Sequence, residues 1–365
     1  VSAVSRTLRI AAIGGDGIGP EVVQAALPAI HEAAALSGTR LEITELDWGG
    51  DRLLRTGDAM PADGPAQISQ FDAILLGAVG HPELAPHVSV WTLVLPLRKA
   101  LDLYVNLRPI KAWPGVRSPI RDAEGADFVV VRENTEGEYS GAGGRVHAGS
   151  PAEVATDVAV HTRRAITRVA RYAFKLARER EQTLTLVTKS NVSRHGYALW
   201  DEVVFELGAA EFSDVALEKS YVDAMAARLI ERPRSLGVLL CSNLFGDILS
   251  DAAAPLAGGL GMAPSANLCP ARDVPGLFEP VHGSAPDIAG RGIANPLACV
   301  LSGAMMLEYV GLTEAASALQ RATTAVLGTD EGRTPDLGGR STTVTVGEAV
   351  RSALRTAPDA TLQPG

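Results

Sequence analysis

Two aspartates four residues apart, Asp247 and Asp251, interrupt an apolar stretch, Asn243-Leu-Phe-Gly-Asp247-Ile-Leu-Ser-Asp251. On a helix, residues i and i+4 share one face. Two carboxylates there repel by ~0.2–0.5 kcal/mol when exposed, and by more when buried. A divalent cation, which prefers hard oxygen ligands, would offset that repulsion. Two acids on a solvated helix face are the plainer alternative. Three arginines, Arg98, Arg108 and Arg132, stand at the ends of apolar runs. Guanidinium forks match carboxylates bidentately, so three together suit a carboxylate-rich ligand. Ordinary surface ion pairs are the equal alternative. Lys189 directly follows an apolar strand-like run, where desolvation lowers an amine's pKa toward base chemistry. A lysine capping a sheet edge would look the same. Asp223 opens an apolar helix at 221–230, a place that a helix dipole also favours for a carboxylate.

These residues need elements to place them. A strand at 8–13 runs into a glycine loop at 14–20 and an Ala-rich helix at 21–36. Gly15, Gly17 and Gly19 are two apart, which departs from the G-x-G-x-x-G dinucleotide spacing. A tight strand-to-helix turn is expected there instead. Further strands at 41–46, 71–76, 128–131, 183–187 and 236–241 alternate with helices, which indicates an α/β layer with mainly parallel pairing. Residues 141–157 are Gly-rich and then extended, as in a protruding ribbon, and 158–180 reads as a long amphipathic helix with a basic outer face. His81 and His87 lack a partner at metal-ligand spacing and read as loop residues. Glycines at 258–261 mark a boundary. The segment 277–288 reads as a ligand-binding loop, 297–310 as a buried helix and 346–354 as a final helix.

Composition bounds the class. At 365 residues, two domains or lobes are expected. A chain 46% apolar and 21% charged fits a soluble globular protein. A net charge of −9 argues against nonspecific nucleic-acid binding. Cys241, Cys269 and Cys299 are scattered without C-x-x-C, so neither a disulfide framework nor a thiolate zinc site is indicated. A reducing, cytoplasmic setting is expected, with no membrane span and no leader. Residues 1–7 and 357–365 are expected to fray.

Taken together, GGDGIGPEV, LRKALDLYVNLRP, VVVRENTEGEY, TKSN, YVDAMAARL, SNLFGDILSD and EPVHGSAPDIAG, in order over about 8–354, resemble the decarboxylating β-hydroxyacid dehydrogenases. This is the isocitrate/isopropylmalate dehydrogenase family, and the chain looks most like its tartrate/D-malate branch. The resemblance implies a two-lobed α/β fold. A large lobe would come from both chain ends (1–107 and 261–365) and carry the NAD site. A smaller central α/β lobe (108–260) with a protruding β arm would carry the metal ligands, the catalytic Lys and Tyr and the dimer interface.

It also implies roles. Arg98, Arg108 and Arg132 would bind substrate carboxylates. Asp223, Asp247 and Asp251 would hold Mg²⁺ or Mn²⁺, Lys189 would be the base, and Tyr139 the general acid. Lys189 and Asp223 would reach in from the other subunit of a homodimer. NAD would sit on His282, Gly283, Ser284, Ala285, Pro286, Asp287, Ile288 and Asn295. Asp287 would meet the ribose 2′-hydroxyl and repel a 2′-phosphate, which favours NAD over NADP. Many members also use K⁺.

Substrate choice would turn on the segment before Arg98. Isopropylmalate enzymes look like Glu-x-x-Leu-Leu there; here Trp91, Val94 and Leu95 stand at those positions, and Trp91 in place of the Glu weakens that reading. Isocitrate enzymes pair Ser with Asn; here Thr92 is at the Ser position but Val94 replaces the Asn, so a third carboxylate would lose a partner. A small acid, D-malate or tartrate, is the first expectation, with 3-isopropylmalate or another 3-substituted malate as the alternative. A non-catalytic regulatory homologue is a remote third, because every catalytic position carries a competent residue.

Overall fold

The computed structural model describes residues 6–356. In chain order the elements begin with β1 (Arg6–Gly15), α1 (Gly19–Leu36), β2 (Thr39–Leu46), α2 (Gly50–Thr56), α3 (Gly64–Ile68) and β3 (Ala73–Ala78). A π-helical turn, Val90–Val94, leads into α4 (Leu95–Ala100). Then come β4 (Val105–Lys111), β5 (Asp127–Glu133), β6 (Gly137–Val146), β7 (Val154–Val160), α5 (Arg163–Glu179), β8 (Leu184–Thr188) and α6 (Gly196–Glu211). Next are β9 (Leu217–Tyr221), α7 (Val222–Glu231), β10 (Val238–Cys241) and α8 (Asn243–Ala257). The chain closes with β11 (Pro264–Leu268), β12 (Gly276–Pro280), α9 (Leu297–Tyr309), α10 (Thr313–Leu327) and α11 (Thr343–Thr356).

The chain divides into two compact units, one of residues 1–101, 112–119 and 254–365, the other of 102–111 and 120–253. In the first, strands run in the order β2-β1-β3-β12-β11. All pair in parallel except β11, which is antiparallel to β12. Strands buried on both faces read as continuous apolar runs, and Ile10–Ile13 and Ile74–Leu76 do so. Helix α9 is buried along nearly its whole length, each buried Leu, Val or Met contributing roughly 1.5–3 kcal/mol. Its Gly303 lets Ile30 of α1 come close, since a Cβ there would lie 2.2 Å from Ile30 Cδ1.

In the second unit the order is β4-β5-β10-β8-β9, parallel except for β4 against β5. Strands β6 and β7 form a separate antiparallel hairpin. Its Val146, Val154 and Val158 are half or more exposed, as the ribbon-like composition predicted. The helix expected at 158–180 starts later, at Arg163, because 154–160 is strand β7. Thr162 is extended and its hydroxyl caps Ala165 N at 3.2 Å, which fixes the start of α5. The segment 277–288, read as loop, opens with strand β12 and turns irregular only after Pro280. Arg6 and Thr7 lie in β1, while the rest of the expected fraying falls outside the described residues. Among the described residues no helix is long and apolar enough to cross a membrane.

Candidate active site

In the second unit the parallel strands deliver the polar residues at their C-terminal ends, where ligands bind in open α/β sheets. Arg132 stands near the end of β5, paired in register with Cys241 at the end of β10. Two residues on, Asn243 opens α8. Lys189 follows β8 directly, and Asp223 sits in the first turn of α7 after β9.

Helix α8 carries Asp247 and Asp251 one turn apart. Their Oδ1 atoms lie 3.2 and 2.9 Å from a single atom, Arg108 Nη1, so the two carboxylates converge on one point. Arg132 Nη1 also pairs with Asp247 Oδ1. The Tyr139 hydroxyl donates to Asp247 Oδ2 at 2.7 Å, and Arg132 Cζ lies 5.2 Å from the centre of the Tyr139 ring. Both arginines are almost fully buried. Partial burial and the neighbouring Asp247 raise the Asp251 carboxyl above its ordinary value, against the pull of Arg108 and Arg132. Two acids sharing one cation form a hard-oxygen donor set that a divalent ion fits.

Lys189 Nζ pairs with Asp223 Oδ2 at 2.9 Å, and that hydrogen bond holds the Asp223 carboxyl below the usual range. Among the described residues no three His, Cys, Asp or Glu side chains gather into a metal-binding group. Asp223 therefore does not join Asp247 and Asp251 within one chain.

The first unit holds the remaining candidates. Arg98 Nη2 donates to Glu279 Oε1 at 2.8 Å, while its buried Nε has no hydrogen-bond partner. Trp91 is 40% exposed with Lys99 Nζ 5.5 Å from its ring centre. The Thr92 hydroxyl donates back to Val88 O at 2.8 Å. Val94 and Leu95 are buried, so only Trp91 and Thr92 of the expected specificity positions reach the surface. In the 282–288 loop, His282 Nδ1 donates to Gly283 O at 2.9 Å, leaving Nε2 as a buried acceptor without a partner. Burial lowers the pKa of that ring. Ser284 is buried and Asp287 exposed. Asn295 Oδ1 accepts from Leu297 N at 3.0 Å at the start of α9, and its Nδ2 donates to Asp336 Oδ2 at 3.0 Å.

The glycine loop makes the expected tight turn, with Gly15 and Gly17 at φ +71° and +57°. It also braces the 282–288 loop: Ile18 N donates to Ser284 O at 2.8 Å, and Ser284 Oγ to Gly80 O at 2.5 Å. Buried Asp16 accepts from Gly50 N at 2.6 Å and Gly80 N at 2.7 Å.

Several polar partners of the candidate residues carry little signal in the sequence. In the first unit Asp16 is one. Asn106 accepts from Arg108 Nε at 2.8 Å, and Ser250 Oγ from Arg108 Nη1 at 2.7 Å. Asn243 and Gly246 lie against Arg132. Their spacing to Asp247, i, i+3 and i+4, was the available signal.

A family model, Isocitrate/isopropylmalate dehydrogenase, matches residues 9–350. A probable tartrate dehydrogenase/decarboxylase of Agrobacterium vitis is 49% identical over 96% of this chain and 98% of its own. The D-malate dehydrogenase [decarboxylating] of Escherichia coli is 44% identical over 94% and 98%. A 3-isopropylmalate dehydrogenase of Leifsonia xyli is 45% identical over 95% and 98%. The crystal structure of isocitrate dehydrogenase from Methylococcus capsulatus superposes with a TM-score of 0.87 at 36% identity, covering 96% of this chain and all of that one. With a family match over nearly its whole length, the chain belongs to the isocitrate/isopropylmalate dehydrogenase family of decarboxylating hydroxyacid dehydrogenases.

Proposed function

We propose that the protein catalyses the NAD- and divalent-metal-dependent oxidative decarboxylation of a malate-type 2-hydroxy acid, D-malate or tartrate first. The observation that carries this reading is the cluster of Arg108, Arg132, Tyr139, Asp247 and Asp251 within hydrogen-bond reach of one another. It pairs two anion-binding guanidiniums with two convergent metal-type carboxylates and a phenol. Asp247 and Asp251 would hold Mg²⁺ or Mn²⁺, with Asp223 of a second subunit as third ligand. The ion would supply Lewis acidity to the bound hydroxy acid. The 282–288 loop and Asn295 would hold a nicotinamide dinucleotide, which would supply the hydride acceptor.

The chain's own residues do the rest. Arg108 and Arg132 hold the carboxylates by charge-assisted forks, and Arg98, in the first unit, keeps its expected carboxylate-binding role, with a buried Nε that has no hydrogen-bond partner. Lys189 takes the hydroxyl proton as C2 loses its hydride. The resulting 2-ketone accepts the electron pair of the breaking carbon–carboxylate bond, and CO₂ leaves. Tyr139 then gives its proton to the enolate carbon. Lys189 and Asp223 act across a homodimer in this proposal, and the exposed valines of the β6–β7 hairpin suit such an interface. K⁺ remains a proposed activator. The buried cysteines, Cys241, Cys269 and Cys299, form no disulfide, which fits a cytoplasmic location. The central unit, near 108–260, would carry metal and substrate, and the outer unit the dinucleotide.

The exposed Trp91 ring favours one second reading, a 3-substituted malate such as 3-isopropylmalate, whose alkyl group would cover it. The test follows NADH absorbance with Mn²⁺ and K⁺ present, comparing kcat/KM for D-malate, tartrate, 3-isopropylmalate and isocitrate. Preference for D-malate or tartrate supports the proposal. Preference for 3-isopropylmalate replaces it with the second reading. Silence on all four, with NAD bound, would overturn the D-malate or tartrate reading and point to another 3-substituted malate.

A further inference from the structure

Arg132 is among the largest fully buried side chains of the protein. Three residues on one face of α8 shape its surroundings. Asn243 Oδ1 accepts from Arg132 Nε at 2.9 Å and Nη2 at 2.7 Å, which occupies the trailing edge of the guanidinium. Gly246 lets the stem lie against the helix, since a Cβ there would be 2.6 Å from Arg132 Cβ. Asp247 meets the remaining corner, Nη1.

The acceptor behind the arginine is a neutral amide. Asp247 already gives Arg132 one carboxylate, and a second in place of the amide would form a bidentate ion pair that leaves the cluster with excess negative charge toward an anionic ligand. Arg108 is held in the same way, its Nε donating to Asn106 Oδ1 at 2.8 Å. Asn243 has a second contact: its Nδ2 donates to Glu136 O at 3.0 Å, in the turn that leads into Tyr139. One amide thus ties the arginine fork and the tyrosine's turn to the helix that carries Asp247.

We infer that Asn243 is a positioning residue for the reaction. Its neutral oxygen aims the Arg132 fork without adding a second negative charge behind it, and its amide nitrogen fixes the turn that leads into Tyr139. The inference rests on the function proposed above.

Asn243→Asp keeps the size and the acceptor of Asn243 but adds a charge, and Asn106→Asp does the same behind Arg108. Asn243→Ala removes both contacts. The measurements are KM, kcat and Tm with the acid that the wild type turns over best, calorimetric binding of that acid with Mn²⁺, and the crystal structure of Asn243→Ala. Asn243→Asp should raise KM and the calorimetric Kd by about tenfold or more, the scale of a charged hydrogen bond, with Tm close to wild type. Its kcat should also fall, because an aspartate cannot donate to Glu136 O. Asn106→Asp, which shares only the neutral-acceptor role, should raise KM more than it lowers kcat. In Asn243→Ala the Arg132 fork should turn away from Asp247. If that variant does not fold, the two aspartate variants carry the test. Wild-type KM and Kd in both would overturn the inference and leave the proposed function standing. A wild-type enzyme that binds none of the acids would overturn both.

Discussion

Replacing Gly246 with alanine separates a glycine kept for space from one that is incidental. In an ordinary helix interior, Gly→Ala stabilises by about 1 kcal/mol, because glycine gives up more backbone freedom on folding. At position 246 a Cβ would lie 2.6 Å from Arg132 Cβ and 2.7 Å from its Cγ, well inside contact distance. Those atoms belong to the root of the side chain, and Arg132 is only 2% exposed, so it cannot swing out into solvent. Forcing a methyl into such packing costs typically 1–3 kcal/mol. Set against the helix gain, the net effect should run from about neutral to about 2 kcal/mol destabilising, a fall in Tm of at most about 3 °C for a chain of this length. The larger effect should fall on the ligand: displacing the arginine fork should raise KM for the acid by about tenfold or more. Differential scanning calorimetry and steady-state kinetics on the same preparation read both. A Gly246→Ala enzyme that melts higher than wild type with unchanged KM would refute the reasoning.

Asp16→Ala should destabilise strongly, by about 1–3 kcal/mol for each buried backbone N–H left unpaired at Gly50 and Gly80. Because Gly80 O accepts from Ser284, KM for NAD should rise as well, which kinetics with saturating acid would show. If Asp251 holds a metal ion as proposed, its raised carboxyl should make that binding depend on pH. A metal ligand must be deprotonated, so a proton held to higher pH competes with the ion. Apparent Mn²⁺ affinity should therefore be full above that raised value and fall as pH drops through it, starting above the range of an ordinary aspartate. Calorimetric Mn²⁺ titrations across the acidic range would show the fall, and affinity flat through the ordinary aspartate range would contradict it.

Much of this was legible in the sequence because it depends on periodicity. Strands buried on both faces are continuous apolar runs, and Ile10–Ile13 and Ile74–Leu76 stood out for that reason. The i, i+4 spacing of Asp247 and Asp251 already implied a shared face, and the structure places both on Arg108. The start of α5 was misplaced because Val158 and Val160 extend the apolar pattern into a strand, and only the Thr162 cap marks the change. Asn243 stands four residues before Asp247, a spacing the sequence shows, but its pairing with Arg132, 111 residues away, and those of Asp16, up to 64 residues away, were not legible. Thr92 illustrates the same limit: its hydroxyl is taken up by Val88 O, four residues earlier, and residue type alone does not say so. Whether Asp223 acts in its own chain or across a dimer is likewise not a property of spacing. Within this chain it pairs with Lys189 instead of joining the acids of α8.

The central claim is that the arginine–aspartate–tyrosine cluster of the second unit couples oxidation to loss of CO₂. The most direct test incubates the purified protein with D-malate, NAD and Mn²⁺ and quantifies NADH and CO₂ in the same reaction. Equal amounts of both, abolished together in Asp247→Asn, are the predicted result. NADH without CO₂, or equal yields that survive Asp247→Asn, would contradict the account.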